Sequence, residues 1–145
     1  MKKYNPDKPF ELIKKFKNIS VNDVAIVGGK NSSLGEMFSN LSVKGINVPD
    51  GFATTSYAYW KFLDDNNIRK KLIELMNKLD KKAFTNLKET GAAARQLILN
   101  SEIPDELNKI ITSEYKVLYS NKELGEVAVR SSATAEDLQG NTNLS

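Results

Sequence analysis

Arg130 stands where an apolar run, Val127-Ala128-Val129, meets Ser131, Ser132, Thr134, Glu136 and Asp137. A short run of this kind reads as a buried strand. A guanidinium at its end offers a planar fork of donors matched to phosphate or carboxylate oxygens. The use of arginine is informative, because among 21 Lys and Arg residues only Arg69, Arg95 and Arg130 are arginines. The competing reading is a salt bridge from Arg130 to Glu136 or Asp137 that closes the turn. A second stretch, Asp23-Val24-Ala25-Ile26-Val27-Gly28-Gly29-Lys30, reads as a β-branched strand, a glycine turn and a helix start. Asn31 or Ser32 is the expected cap of that helix. Glycine lets a backbone approach a ligand closely, and the N–H groups opening a helix attract anions. An ordinary strand-to-helix turn with a solvated lysine is the alternative. The stretch is not a Walker A loop, since Val24 and Asn31 occupy the places of its first glycine and its hydroxyl residue. No G-x-G-x-x-G dinucleotide fingerprint accompanies it either.

Between these motifs the pattern is mostly helical. Leu34, Met37, Phe38 and Leu41 recur at helical spacing, and Gly45 ends that helix. Val48-Pro49-Asp50-Gly51 reads as a turn into a strand at Phe52 to Thr54, after which Thr55 or Ser56 caps a helix carrying Tyr59, Trp60 and Leu63. Those apolar side chains are expected in the core. Ile68, Leu72, Ile73, Leu75, Met76 and Leu79 form a further stripe, and Thr85 to Leu99 another helix whose Ala92, Ala93 and Ala94 allow close packing. Pro104 suits a first helical position, with Leu107, Ile110, Ile111, Tyr115 and Leu118 on the apolar face that follows. Lys122 to Gly125 is the expected turn into a strand at Glu126 to Arg130. The lysine-rich start, Met1 to Asn18, accounts for the modest net charge of +3 and reads as a solvated helix and turn. Its aromatics are not interleaved to stack bases, so nucleic acid is not an expected partner. The fold class expected is α/β, helix-rich with a small sheet.

Three motifs in order carry a resemblance. Val27-Gly28-Gly29-Lys30-Asn31-Ser32-Ser33-Leu34-Gly35-Glu36-Met37, Val48-Pro49-Asp50-Gly51-Phe52-Ala53-Thr54-Thr55 and Val129-Arg130-Ser131-Ser132-Ala133-Thr134-Ala135-Glu136-Asp137-Leu138 resemble the amino-terminal region of a phosphotransferase family. That family comprises phosphoenolpyruvate synthases, pyruvate phosphate dikinases and rifampin phosphotransferases, and the wording is most similar to the first. The resemblance implies residues 1–145 as the amino-terminal portion of an ATP-grasp type nucleotide-binding domain. ATP would lie between two subdomains, with Lys30 and Arg130 as phosphate contacts and Gly28, Gly29, Ser131 and Ser132 as support for the phosphate loop. Ser131, Ser132 and Thr134 fit the capping of a following helix better than donation to phosphate, and Glu136 and Asp137 fit a helix first turn better than a metal site. The resemblance places Mg²⁺ ligands downstream of Leu138. It also implies phosphoryl transfer from ATP through an enzyme histidine to pyruvate, and leaves open a homo-oligomer of the full-length enzyme.

Composition bounds what this stretch can do. With no histidine, the phosphohistidine of that family is absent, as are its swivelling and barrel domains. No catalytic residue is therefore expected within the chain, which reads as a fragment of a larger enzyme. A non-catalytic stand-alone binding module is the alternative. Cysteine is also absent, which excludes disulfides and thiolate metal sites within this sequence. No apolar run approaches the ~20 residues of a membrane span, and the start lacks a secretory h-region. A cytoplasmic location is the default expectation.

Overall fold

Ser20 and Asp23 decide how the first motif folds. The Ser20 hydroxyl accepts from Asn22 N at 3.3 Å, and the Asp23 carboxylate accepts from Ser20 N at 2.9 Å. This reciprocal capping starts a 3₁₀ turn at Val21–Asp23, which runs on into Val24–Val27 as one α-helical turn and not the strand its β-branched residues suggest. Propensity over four residues is a weak force, and local hydrogen bonds override it. Gly28 then breaks the path with φ 82° and ψ 159°, a region essentially restricted to glycine. The next helix begins at once with Gly29. Asn31 and Ser32 therefore lie inside it, not at its cap.

The computed structural model describes residues 11–119 and 126–134. Its elements are β1 (Ile13–Lys15), 3₁₀ turns at Phe16–Asn18 and Val21–Asp23, α1 (Val24–Val27), α2 (Gly29–Ser42), β2 (Phe52–Thr54), α3 (Ser56–Asp65), α4 (Arg69–Asn77), α5 (Leu87–Leu99) and α6 (Asp105–Tyr119). Strands β1 and β2 pair antiparallel, Ile13 with Thr54 and Lys15 with Phe52. The helix and turn expected in the lysine-rich start is thus corrected at Ile13 to Lys15, where β2 supplies a partner ladder; Met1 to Phe10 lie outside the described residues. Strand β2 and helices α2 to α6 follow the sequence pattern closely. Thr55 is the cap of α3, accepting from Ala58 N at 3.4 Å while its own hydroxyl donates to Glu11 O at 2.8 Å.

The strand expected at Glu126 to Arg130 does not form. Those residues have no regular secondary structure, because no described strand offers them a ladder, and Val127 and Val129 are 46% and 91% exposed. The expected turn at Lys122 to Gly125 lies outside the described residues.

Two compact units divide the chain, one from residues 1–58 and 106–145, the other from 59–105. In the first, Leu12, Ala58 and Leu107 form one buried cluster with Ile110 and Ile111 against it. Ile19, Val27 and Ala53 form another, flanked by Phe16 and Ile26. Gly35 admits the close approach of α2 to this second cluster, since a Cβ there would stand 2.6 Å from both Ile19 Cβ and Ile19 O. In the second unit, α4 and α5 pack together and Leu63 and Ile68 are buried. Tyr59, expected in the core, is half exposed. Trp60 is instead covered by the Arg69 guanidinium, 4.5 Å from its ring centroid, which Asp64 holds through two contacts of 2.6 Å. Ile73 and Met76 face solvent, so only part of the α4 stripe is buried.

Candidate functional site

Lys30 projects from the first turn of α2, and Arg130 from the irregular segment 126–134; both are exposed. Neither sits at a strand end, as the sequence pattern suggested. They nevertheless line one cavity of about 530 Å³ in the first unit, together with Gly29, Asn31 and Ser131. Val21, Val24, Leu34 and Met37 make its apolar wall. Leu34 and Met37, which mark this helix in the sequence by their spacing, thus face the cavity; positions 30, 34 and 37 share a helical face, and that spacing was the available signal. No carboxylate is among the described lining residues. The nearby Glu36 carboxylate is engaged by Val21 N at 3.0 Å and Asn40 Nδ2 at 2.8 Å.

Two cations, three serines and the positive end of a fourteen-residue helix therefore border one hollow. Such an arrangement favours an anion: the helix end contributes partial positive charge, the ammonium a compact charge and the guanidinium a fork for paired oxygens. Ser32 also borders the cavity but is only 2% exposed, and its Oγ has no hydrogen-bond partner among the described residues.

Gly28 and Ser132 do not line the cavity; they meet one another. Ser132 Oγ donates to Val27 O at 2.9 Å, and Asn31 Nδ2 donates to the same carbonyl at 2.8 Å. A Cβ on Gly28 would collide with Ser132 Oγ and lie 2.8 Å from Ala133 O. The two sequence motifs are thus in van der Waals contact through Gly28. Glu136 and Asp137, and any helix that Ser131, Ser132 or Thr134 could cap, lie outside the described residues.

The Pyruvate phosphate dikinase, AMP/ATP-binding domain family matches residues 24–142 of this chain, a span that contains both motifs bordering the cavity. The chain belongs to that family. Among similar proteins, the phosphoenolpyruvate synthase of Synechocystis sp. (strain ATCC 27184 / PCC 6803 / Kazusa) is 48% identical over 134 residues, which cover 88% of this chain and 16% of the relative. That of Escherichia coli (strain K12) is 44% identical over 127 residues, with the same coverage of 88% and 16%. The Helicobacter pylori (strain ATCC 700392 / 26695) protein of the same name is 46% identical over 129 residues, covering 87% and 16%. The chain therefore spans 16% of the length of these relatives.

Metal binding finds no fit here. Among the described residues no three His, Cys, Asp or Glu side chains gather to hold an ion, and the described part of the cavity wall offers only hydroxyl and amide oxygens. Hard divalent cations favour carboxylates, so these residues do not suit Mg²⁺. A second hollow of about 460 Å³ lies in the other unit between α4 and α5, where Lys71, Lys78 and Glu74 mix their charges. It contains no residue of the family motifs. Among the described residues no helix is long and apolar enough to cross a membrane.

Proposed function

We propose that this chain supplies the ATP-phosphate grip of a cytoplasmic phosphoenolpyruvate synthase. One observation carries the reading: Lys30 and Arg130, remote in sequence, border one cavity whose described lining holds no carboxylate. The triphosphate lies along the start of α2, with the Lys30 ammonium and the Arg130 guanidinium on its oxygens and Ser131 within the same wall. Gly28 and Gly29 let the backbone come close. In phosphoryl transfer the protein mainly positions the phosphates and neutralises charge on the equatorial oxygens, and two cations in one hollow suit that work. The fold is the amino-terminal portion of an ATP-grasp type domain. In the whole enzyme the phosphoryl group passes from ATP to a histidine outside this chain and on to pyruvate, with Mg²⁺ held by carboxylates outside the described cavity.

The isolated chain binds ATP weakly, because a cavity this open must still order exposed side chains on binding. Titration of the ¹⁵N-labelled chain tests the reading. ATP is expected to shift the amide signals of residues 29–33 and 130–131 and to bind more tightly than AMP, with affinity falling as salt rises. Lys30→Ala and Arg130→Ala each weaken ATP about tenfold, as loss of a charge-assisted contact does. Equal affinity for AMP and ATP, or indifference to both substitutions, overturns it.

A further inference from the structure

Arg130 sits on a segment that has no ladder, no helix and little burial. What, then, keeps its guanidinium on the same hollow as Lys30? Among the described residues the answer converges on one atom, the carbonyl oxygen of Val27. It accepts from Asn31 Nδ2 at 2.8 Å, one residue along α2 from Lys30, and from Ser132 Oγ at 2.9 Å, two residues along from Arg130. Both lone pairs of that oxygen are used. Val27 is itself 3% exposed and part of the buried cluster with Ile19 and Ala53, so the acceptor is anchored in the core. The adjoining Gly28 leaves room for Ser132 and for Ala133 O, at a φ of 82° that other residues rarely adopt.

From this geometry we infer that Ser132 is a positioning residue for phosphate binding. Its hydroxyl docks the Arg130 segment onto the Val27 carbonyl and so sets the separation of the two cations. The inference rests on the phosphate reading above and extends it to a residue that need not touch the ligand. Ser132 donates one hydrogen bond, and nothing is transferred. Its neighbour Ser131, which borders the cavity, is the residue suited to direct contact. Hydroxyl chemistry at 132 matters because the acceptor is a carbonyl; threonine keeps the donor and alanine removes it.

Two measurements on the full 145-residue chain separate the possibilities. In ligand-free protein, nuclear Overhauser contacts between Gly28 and residues 132–133 are expected in the parent and in Ser132→Thr, and are expected to be lost in Ser132→Ala. In titrations with ATP, Ser132→Ala binds roughly fivefold more weakly, the effect of one net hydrogen bond, and loses part of the preference for ATP over AMP. Ser132→Thr restores both. A general loss of stability would not alter that preference selectively. Should Ser132→Ala keep its contacts with Gly28, or lose them while binding ATP as the parent does, the inference is overturned even if Lys30→Ala and Arg130→Ala weaken ATP. Should those two substitutions leave ATP untouched, the phosphate reading falls, and with it the positioning role. The ligand-free contacts then still report whether Ser132 docks the segment.

Discussion

Ser32 illustrates how a single side chain can be at odds with its surroundings. It is 2% exposed and its hydroxyl is unpartnered among the described residues, a condition that costs roughly 1–3 kcal/mol. It also occupies the interior of α2, where alanine is the better helix former. Ser32→Ala is therefore expected to stabilise the protein by about 1 kcal/mol, read as a higher urea midpoint with an unchanged slope. A fall in stability would mean that the hydroxyl has a partner after all. Asp23 presents the opposite case. Burial pushes its carboxyl up, but hydrogen bonds from Lys14 Nζ and Ser20 N, and the Lys14 charge, outweigh burial and hold it below the ordinary carboxylate value. The Lys14 contact is 2.6 Å, with both side chains mostly covered. A carboxyl depressed in the folded state stabilises fully above its unfolded pKa, and the contribution is lost as pH falls through the folded one. Asp23→Asn should then cost about 1–2 kcal/mol at neutral pH and progressively less as acid protonates the parent carboxylate. Urea midpoints at pH 7 and pH 3 check this; a difference independent of pH would refute it.

The contact of α2 with the turn at Ile19 sets two effects of glycine against each other. Replacing Gly35 by alanine gains about 1 kcal/mol in helix propensity. The new Cβ, however, lies 2.6 Å from Ile19 Cβ and from the Ile19 carbonyl oxygen. Backbone cannot rotate away as a side chain can, and overpacking costs typically 1–3 kcal/mol. Overlap wins, and Gly35→Ala is expected to lower stability by about 1–2 kcal/mol, measurable by thermal or urea unfolding. Elements of this kind were largely legible in the sequence where the signal was long: α2, α4 and α6 announce themselves by apolar spacing, α3 by its cap, α5 by its alanine run, and β2 by the turn that precedes it. Four residues at Val24–Val27 carried too little pattern, and the capping by Ser20 and Asp23 decided their state. Glu126 to Arg130 reads as a strand from composition, but a strand exists only with a neighbour to pair with, and no described residues provide one. At the cavity, the motifs pointed to Lys30 and Arg130. The Val27 carbonyl that ties them together left no trace in residue type, because every residue carries a carbonyl.

Across the whole chain, the described lining of the Lys30 and Arg130 cavity comes from residues 21–37 and 130–131, all within the first compact unit. The unit of residues 59–105 contributes none of it. If stability is partitioned in the same way, damage to one unit should be felt there first, as cooperative regions open with their own free energies. Ile19 and Leu63 are suitable probes, being 3% and 2% exposed in the first and second units respectively. Truncating either to alanine is expected to cost about 2–5 kcal/mol. Leu63→Ala should accelerate amide hydrogen exchange across α4 and α5 while leaving ATP affinity within about twofold of the parent, inside ordinary additivity error. Ile19→Ala removes support beneath Val27 and Gly35 and should both speed exchange in α2 and weaken ATP. The decisive comparison is the pattern, not the size: if Leu63→Ala speeds exchange uniformly over both units and weakens ATP as much as Ile19→Ala, the two units unfold as one, and the phosphate site depends on the whole chain's packing.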